Sequence, residues 1–393
     1  MQQAKSVFTA PAKKSIASSP LSLQIGIQFG GGGEGRVISE LSKFLPAADF
    51  RVIGAVAEPD NIEESTESAF VSFAPANATK LHRFRCARRK ITRILQEEQP
   101  AIVASHFALY ALPAYDRIRS DRLVTHFHGP WGAESAQDGA GAMASSARML
   151  VEKTIYLRSA RVIVLSKAFA QLAINRYGVD SNKIRIVPGC VDIERFDVGD
   201  TQRAARIRLG LPTDRPILLS IRRLVRRMGL VELVAALPEV RRHVPDVLLC
   251  IAGRGLLRQE LEKQVDHLEL NDHVRFLGYV DDDDLPYLYR SADINVVPTA
   301  ALEGFGLVAA ESLAAGVPAM VTKVGGLPEV VADLSPELMF ASPCSGDLAS
   351  GLIEALLGRL HLPDRATCAA YAKEHFSSQL MAERVAAVYR EIL

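Results

Sequence analysis

The chain has 393 residues, 48% hydrophobic and 23% charged, which suits two soluble domains of ordinary size with real cores. A net charge of +1 gives no sign of a nucleic-acid partner, and none is expected. Five scattered cysteines without a C-x-x-C pair indicate neither a disulfide framework nor a zinc site, and no apolar run approaches the ~18–20 residues of a membrane span. A reducing cytosol is the expected setting.

Residues 1–20 are rich in Ser, Ala and Lys, without an apolar core segment, and read as a disordered leader; a targeting role is the alternative. From Leu21, LQIGIQF alternates like a strand and runs into Gly30-Gly31-Gly32-Gly33-Glu34-Gly35, after which Val37, Ile38, Leu41, Phe44 and Leu45 follow helical spacing. Strand, glycine loop and helix open a doubly wound α/β domain, and the glycines let a ligand approach the backbone at the strand's carboxyl end. They do not fit G-x-G-x-x-G with its downstream acid, which disfavours a nicotinamide cofactor; a flexible turn is the bland alternative. Arg51 to Glu58 is the next strand.

Lys80 to Arg93, KLHRFRCARRKITR, carries seven Lys/Arg and no acid on a helical pattern. This basic amphipathic helix either lies on an anionic membrane or acceptor, or is simply a solvated basic face. PAIVASHF (100–107) and LVTHFHGPW (123–131) are strands ending in His106 and in His126 and His128. Alternation puts His126 and His128 on one side, at the strand ends where open α/β sheets bind ligands. Structural histidines are the alternative. With no carboxylate or cysteine at ligand spacing, a metal site is not expected.

RVIVLS (161–166) and KIRIVPGCVD (183–192) close the first half. Ile193 to Pro216 is charged and poorly periodic, and the interdomain linker is placed there. A second α/β set follows: PILLSI (216–221), VLLCIAG (247–253) ending in Gly253-Arg254-Gly255, and VRFLGYV (274–280) are strands alternating with helices. Four aspartates, Asp281 to Asp284, precede LPYLYRSA, and helix capping with dipole complementation accounts for them. The alternation throughout predicts two Rossmann-like doubly wound parallel sheets facing a cleft, spanning residues 21–196 and 197–371, with a helix over about 372–393 packing back on the first.

The stretch from Val296 to Val331 concentrates the chemistry. A strand (Ile294 to Pro298) enters a small-residue loop carrying Glu303, and the loop opens a helix carrying Glu311. A loop of small residues at a helix N-terminus offers backbone N–H groups and a positive dipole end to phosphate. The two carboxylates can reach separate sets of hydroxyls, as a nucleotide sugar requires.

From Pro216 to Val331 the chain closely resembles the retaining nucleotide-sugar glycosyltransferases of the two-domain GT-B fold, family 4 type, and it does so more loosely from about residue 23. EGFGLVAAE, its continuation AAGVPAMVTKVGGLPEVV, VRFLGYV before LPYLYRSADI, and IVPGCVDIERF carry the resemblance. It implies transfer of a hexose from a UDP- or GDP-sugar to a glycan or lipid-linked acceptor, in cell-surface polysaccharide synthesis, without metal or resident cofactor. It implies that Glu303 binds the donor hexose, Glu311 the ribose, Arg223 the diphosphate, and the backbone at Phe305, Gly306, Leu307 and Val308 sugar and phosphate. Leu277 and Gly278 would contact the base, with Gly253 in the neighbouring turn. His128 would lie near the transferring sugar, and Gly32 and Gly33 near diphosphate or acceptor. The chain departs from the pattern at Met228, where a phosphate-binding lysine is expected, and Arg226 or, preferably, Arg227 would substitute. Gly189-Cys190 replaces Asn-Gly, and Arg254 replaces an acid. The competing readings are a non-catalytic binding or regulatory protein on the same fold and a pyridoxal-phosphate phosphorylase on a related one.

Overall fold

A computed structural model describes residues 19–29, 32–57, 70–75, 77–137 and 139–393. Nearly all of the expected leader, together with Gly30, Gly31 and Glu58, lies outside these. Seven strands form the first sheet: β1 (Leu21–Gly26), β2 (Arg51–Val56), β3 (Phe70–Ser72), β4 (Ile102–Ser105), β5 (Leu123–Phe127), β6 (Arg161–Val164) and β7 (Ile184–Ile186). Their spatial order is β3-β2-β1-β4-β5-β6-β7, and every pairing is parallel. Five more, β8 (Ile217–Ile221), β9 (Leu248–Ala252), β10 (Val274–Gly278), β11 (Ile294–Val297) and β12 (Ala319–Val321), form the second sheet in the order β10-β9-β8-β11-β12, also parallel. This is the expected GT-B architecture.

Both faces of each sheet are covered, so the strands read as near-continuous apolar runs, as in LLCIA of β9. Leu23, Ile25, Val103 and Phe127 pack on one side of the first sheet; Ile102, Ala104, Val124 and Ile163 pack on the other, beneath Met381, Val385 and Tyr389 of helix Ser378–Arg390. The C-terminal helix therefore packs on the first sheet. The chain changes core between Cys190 and Val191, and Val191 donates its N–H to Phe376 O at 2.8 Å where the chain returns.

Three sequence expectations change. Strand β3 was not anticipated, because three residues are too few to show alternation. The charged stretch placed as a linker contains helix Gln202–Arg208, whose Arg206 is buried and pairs with Asp293 at 2.8 Å. Two turns are too short to show a period, and Arg206 is an internal partner rather than a solvated charge. Finally, Asp281–Asp284 does not cap helix Leu285–Ser291 through a side chain. Asp282 instead meets Arg36 at 3.0 Å and Arg195 at 3.5 Å, and Asp284 meets Arg208 at 2.9 Å. The guanidinium groups of Arg36, Arg195 and Arg208 are charged donors that reach these carboxylates from other elements, a competition that sequence spacing does not show.

In each sheet the strand order reverses beside the first strand of the domain, at β1/β4 and at β8/β11. These switch points open crevices at the strand carboxyl ends, where ligands of such sheets bind.

Candidate active site

Glu303 stands in the loop after β11. Leu302 before it has φ 56°, a left-handed conformation that a branched side chain rarely adopts, so the loop is held from outside. Part of that hold is a backbone seam: Gly326 N donates to Glu303 O at 2.9 Å. A Cβ at Gly325 (φ 58°) would sit 1.9 Å from the same oxygen, so only glycine permits this approach. Arg222, directly after β8, donates from one Nη to both the Glu303 carboxylate and Thr299 Oγ1. Arg222 is buried and its Nε has no partner among the described residues. A buried guanidinium thus orients the carboxylate.

Glu311 lies on helix Leu307–Ala314, which Gly306 enters at φ 95° with no side-chain cap, leaving its first amides to the crevice. The carboxylate is buried; Tyr289 Oη donates to it at 2.8 Å, and Arg36 of the opposite domain forms an ion pair with it. Burial pushes the Glu311 carboxyl up, and Arg36 with the Tyr289 hydroxyl pulls it back. Arg36 also holds Asp282, so one side chain of helix Gly32–Phe44 ties the two domains together across the crevice.

The arginine loop after β8 sorts its cations. Arg226 turns outward to Glu260 at 2.7 Å, and Met228 is buried. Arg227 is buried too, donates to Leu302 O at 2.9 Å, and lies 3.4 Å from Glu134. Arg223 is largely exposed and stands 3.9 Å from the same carboxylate. Of the two substitutes for the missing lysine, Arg227 is therefore the one at the crevice.

On the facing wall, helix Gly32–Phe44 begins at Gly32, and a Cβ on Gly33 would meet nothing within 4 Å, so its surroundings are open. Glu34 accepts from Ile27 N at 2.8 Å. His106, His128, Gly129, Glu34 and Glu134 line a cavity of about 170 Å³. His106 Nδ1 and His128 Nε2 are 3.0 Å apart, and His126 stacks on His106 with ring centres 4.2 Å apart. Candidate ligand atoms of the three rings lie within 4.8 Å of one another, but the rings are parallel to within 14–19°. Lone pairs in parallel ring planes do not converge on one ion, and four of the six ring nitrogens already have protein partners. Burial holds His128 down to about 4 and His106 and His126 well below the ordinary imidazole value, so all three are neutral at pH 7.

The structure brings together Glu303, Arg223, Arg227 and the wall carrying His128. Gly278 (φ 71°) has open space around it and Leu277 is half-buried, whereas Gly253 is a packing glycine whose Cβ would strike Arg222 O at 1.9 Å. The Phe305 ring is buried, facing Gly189, where a Cβ would lie 2.6 Å from it. That contact accounts for Gly189; Phe305 can offer a ligand only backbone, as can Gly306. The sequence reading missed Arg222, Arg36 and Glu134. For Arg222 a signal existed, its place directly after the first strand of the domain; for the other two, cross-domain proximity is invisible in sequence.

With the geometry in hand, family models place the chain. Residues 31–195 match the model described as Glycosyltransferase Family 4, and residues 201–375 match Glycosyl transferases group 1. The chain belongs to this glycosyltransferase family. Among curated relatives, it is 36% identical over 229 residues to D-inositol 3-phosphate glycosyltransferase 2 of Catenulispora acidiphila, covering 56% of this chain and 52% of that one. It is 38% identical over 154 residues to the GDP-mannose-dependent alpha-(1-6)-phosphatidylinositol monomannoside mannosyltransferase of Mycolicibacterium smegmatis, covering 37% and 40%. The chain thus spans about half the length of the curated relatives it matches. Among solved structures, this glycosyltransferase superposes on Anabaena Alr3699/HepE in complex with UDP and glucose with a TM-score of 0.76, 19% identity and coverage of 94% and 99%.

Proposed function

We infer that this chain transfers a hexose, with retention of configuration, from a nucleotide-diphosphate sugar to a glycan or lipid-linked acceptor. The observation that carries the reading is the pair Glu303 and Glu311 beside the β8/β11 crevice, each carboxylate oriented by an arginine. Glu303 takes the hexose hydroxyls and Glu311 the ribose, once Arg36 yields. Arg223, Arg227 and the free amides entering helix Leu307–Ala314 carry the diphosphate charge, so no metal or resident cofactor is assigned. The base rests near Leu277 and Gly278, and the transferring sugar near His128. The leaving diphosphate helps to deprotonate the acceptor on the same face.

UDP- and GDP-sugars are the donors to try first. One structural neighbour was solved with UDP and glucose, and one relative is named GDP-mannose-dependent. The test is a thermal-shift panel of UDP-, GDP- and ADP-sugars, then transfer and hydrolysis assays with the best binder. Glu303→Gln should abolish turnover while keeping the fold. Unchanged turnover there would overturn the assignment, and loss of all nucleotide-sugar binding in the unmodified chain would favour the non-catalytic reading.

A lipid-linked acceptor would be met at a membrane surface in cell-surface polysaccharide synthesis. Among the described residues no helix is long and apolar enough to cross a membrane. Helix Lys80–Glu97 buries Ala87 and Ile91 and exposes Leu81, but Arg88 is committed to Asp116 and Arg93 to Glu97. We assign its remaining basic face to anionic lipid. Retention on anionic liposomes at low salt should be lost when Arg85 and Arg89 become Glu, and failure of the unmodified chain to bind would end the idea.

A further inference from the structure

A directed chain of hydrogen bonds runs through the first sheet towards His128, and the sugar-transfer reading does not use it. It starts at the carbonyl of Arg51, to which Ser22 Oγ donates at 3.1 Å. With its single proton spent there, Ser22 Oγ accepts from Gln24 Nε2 at 3.2 Å. The amide nitrogen of Gln24 therefore faces Ser22 and its oxygen faces His106 Nε2, at 2.8 Å. That contact needs the proton on His106 Nε2. The ring is neutral, so His106 Nδ1 bears the lone pair and accepts from His128 Nε2 at 3.0 Å. His128 in turn carries its proton on Nε2, and Nδ1 is left unprotonated. No protein hydrogen bond to that atom occurs among the described residues, and His128 borders the 170 Å³ cavity.

The residues are placed for this by topology. Ser22 and Gln24 are two apart on β1 and share a face. His106 follows β4 and His128 follows β5, the next two strands in the sheet. The chain is sealed from water: Gln24 is fully buried and His106 is 3% exposed, with Tyr389 of the C-terminal helix 3.5 Å from Gln24 and His126 stacked on His106. Leaving a buried polar atom unpaired is costly, so reversing one bond of the chain is resisted by all the others.

We propose that Gln24 and His106 are positioning residues that lock His128 in the Nε2-protonated tautomer, so that its Nδ1 lone pair accepts a hydrogen bond from a hydroxyl of the transferring sugar. The proposal rests on the sugar-transfer reading of the cleft. A hydroxyl that donates to an imidazole gains electron density at its oxygen, which favours the positive charge that develops on the sugar ring during transfer. The other tautomer would donate to the same oxygen and withdraw density. The interaction thus strengthens in the transition state and belongs to kcat more than to KM.

The tautomer can be read directly by nitrogen NMR of the full chain labelled at histidine. The expected spectrum shows His128 with a protonated Nε2 and an unprotonated Nδ1. A protonated Nδ1 in the unmodified protein overturns the lock. Gln24→Met, near-isosteric but unable to accept, should give a mixture of His128 tautomers and lower kcat about tenfold with donor KM within about twofold. Gln24→Glu, which keeps an acceptor facing His106, should restore both. An unchanged His128 spectrum in Gln24→Met, or equal loss of kcat in both variants, refutes the positioning role. Should no donor be turned over by the unmodified chain, the sugar-transfer reading falls, and with it the assigned hydroxyl; the spectrum alone then decides whether the tautomer is locked.

Discussion

Replacing Arg222 with methionine tests the geometry of the donor half most sharply. The Arg222 side chain is 5% exposed and that of Glu303 16%, so their ion pair is largely desolvated. Methionine fills the space of the arginine stem but leaves the carboxylate with Thr299 Oγ1, at 3.4 Å, as its side-chain partner among the described residues. Breaking one side of a buried pair costs ~3–5 kcal/mol; partial access of water to Glu303 brings the expectation to about 2–4 kcal/mol. For a domain of this size, that lowers Tm by roughly 4–16 °C. Glu303→Gln keeps a hydrogen-bond acceptor for Arg222 but leaves the buried guanidinium without a counter-charge, and should cost about 2–4 kcal/mol. The double variant should be less unstable than the two losses combined, by about 1–3 kcal/mol, because the unpaired charge is gone. The assay is thermal unfolding of the four proteins at pH 7.5, with donor turnover measured beside it. Turnover of Arg222→Met should fall at least a hundredfold, since a carboxylate without its guide is misplaced. A loss under about 0.5 kcal/mol in Arg222→Met, or strict additivity in the cycle, would refute Arg222 as the partner that orients Glu303.

Arg36→Ala should lower the Tm of the free protein while enlarging the stabilisation produced by a bound donor, because Arg36 competes for Glu311; a smaller ligand-induced shift would contradict the competition. Gly325→Ala forces a Cβ into the Glu303 carbonyl, and should cost at least ~1–3 kcal/mol in thermal unfolding together with donor turnover. Stability should also fall on acidification. The folded-state values of His106, His126 and His128 are depressed, so the unfolded chain binds more protons below about 6.5, and this stabilisation is lost as pH drops from there towards the folded value of about 4 at His128. Burial raises the Glu311 carboxyl and so acts with the opposite sign. Each pH unit in the window costs up to ~1.4 kcal/mol per histidine, measurable as a falling Tm between pH 7 and 5. A flat profile would mean that the rings are charged or hydrated in the folded protein.

Much of this was legible in one dimension. Alternating strands and helices determine two parallel sheets, because apolar runs such as LLCIA must be buried on both faces. The glycine at 325 and the small residues around Glu303 are likewise written locally, since backbone that approaches backbone within a Cβ's reach needs glycine. The resemblance to the glycosyltransferase family rested on those same local patterns. Short elements escaped for the converse reason: β3 and helix Gln202–Arg208 are too brief to show a period, and Arg206, which looked solvated there, is buried and paired.

What only the tertiary structure decided is which charge meets which. Arg222, Arg223, Arg226 and Arg227 look interchangeable in sequence, yet one orients Glu303, one stands exposed near Glu134, one leaves for Glu260 and one seals the crevice. Arg36 reaches Glu311 across 275 positions of chain, and Gln24 reaches Tyr389 across 365. Ion pairs and hydrogen bonds act over a few ångströms, and folding alone brings such residues that close. Glu303 and Glu311 were therefore identifiable from their own neighbourhood, whereas the partners that orient them, and the chain of bonds that sets His128, follow from how the strands are ordered in each sheet and how the two domains meet across the crevice.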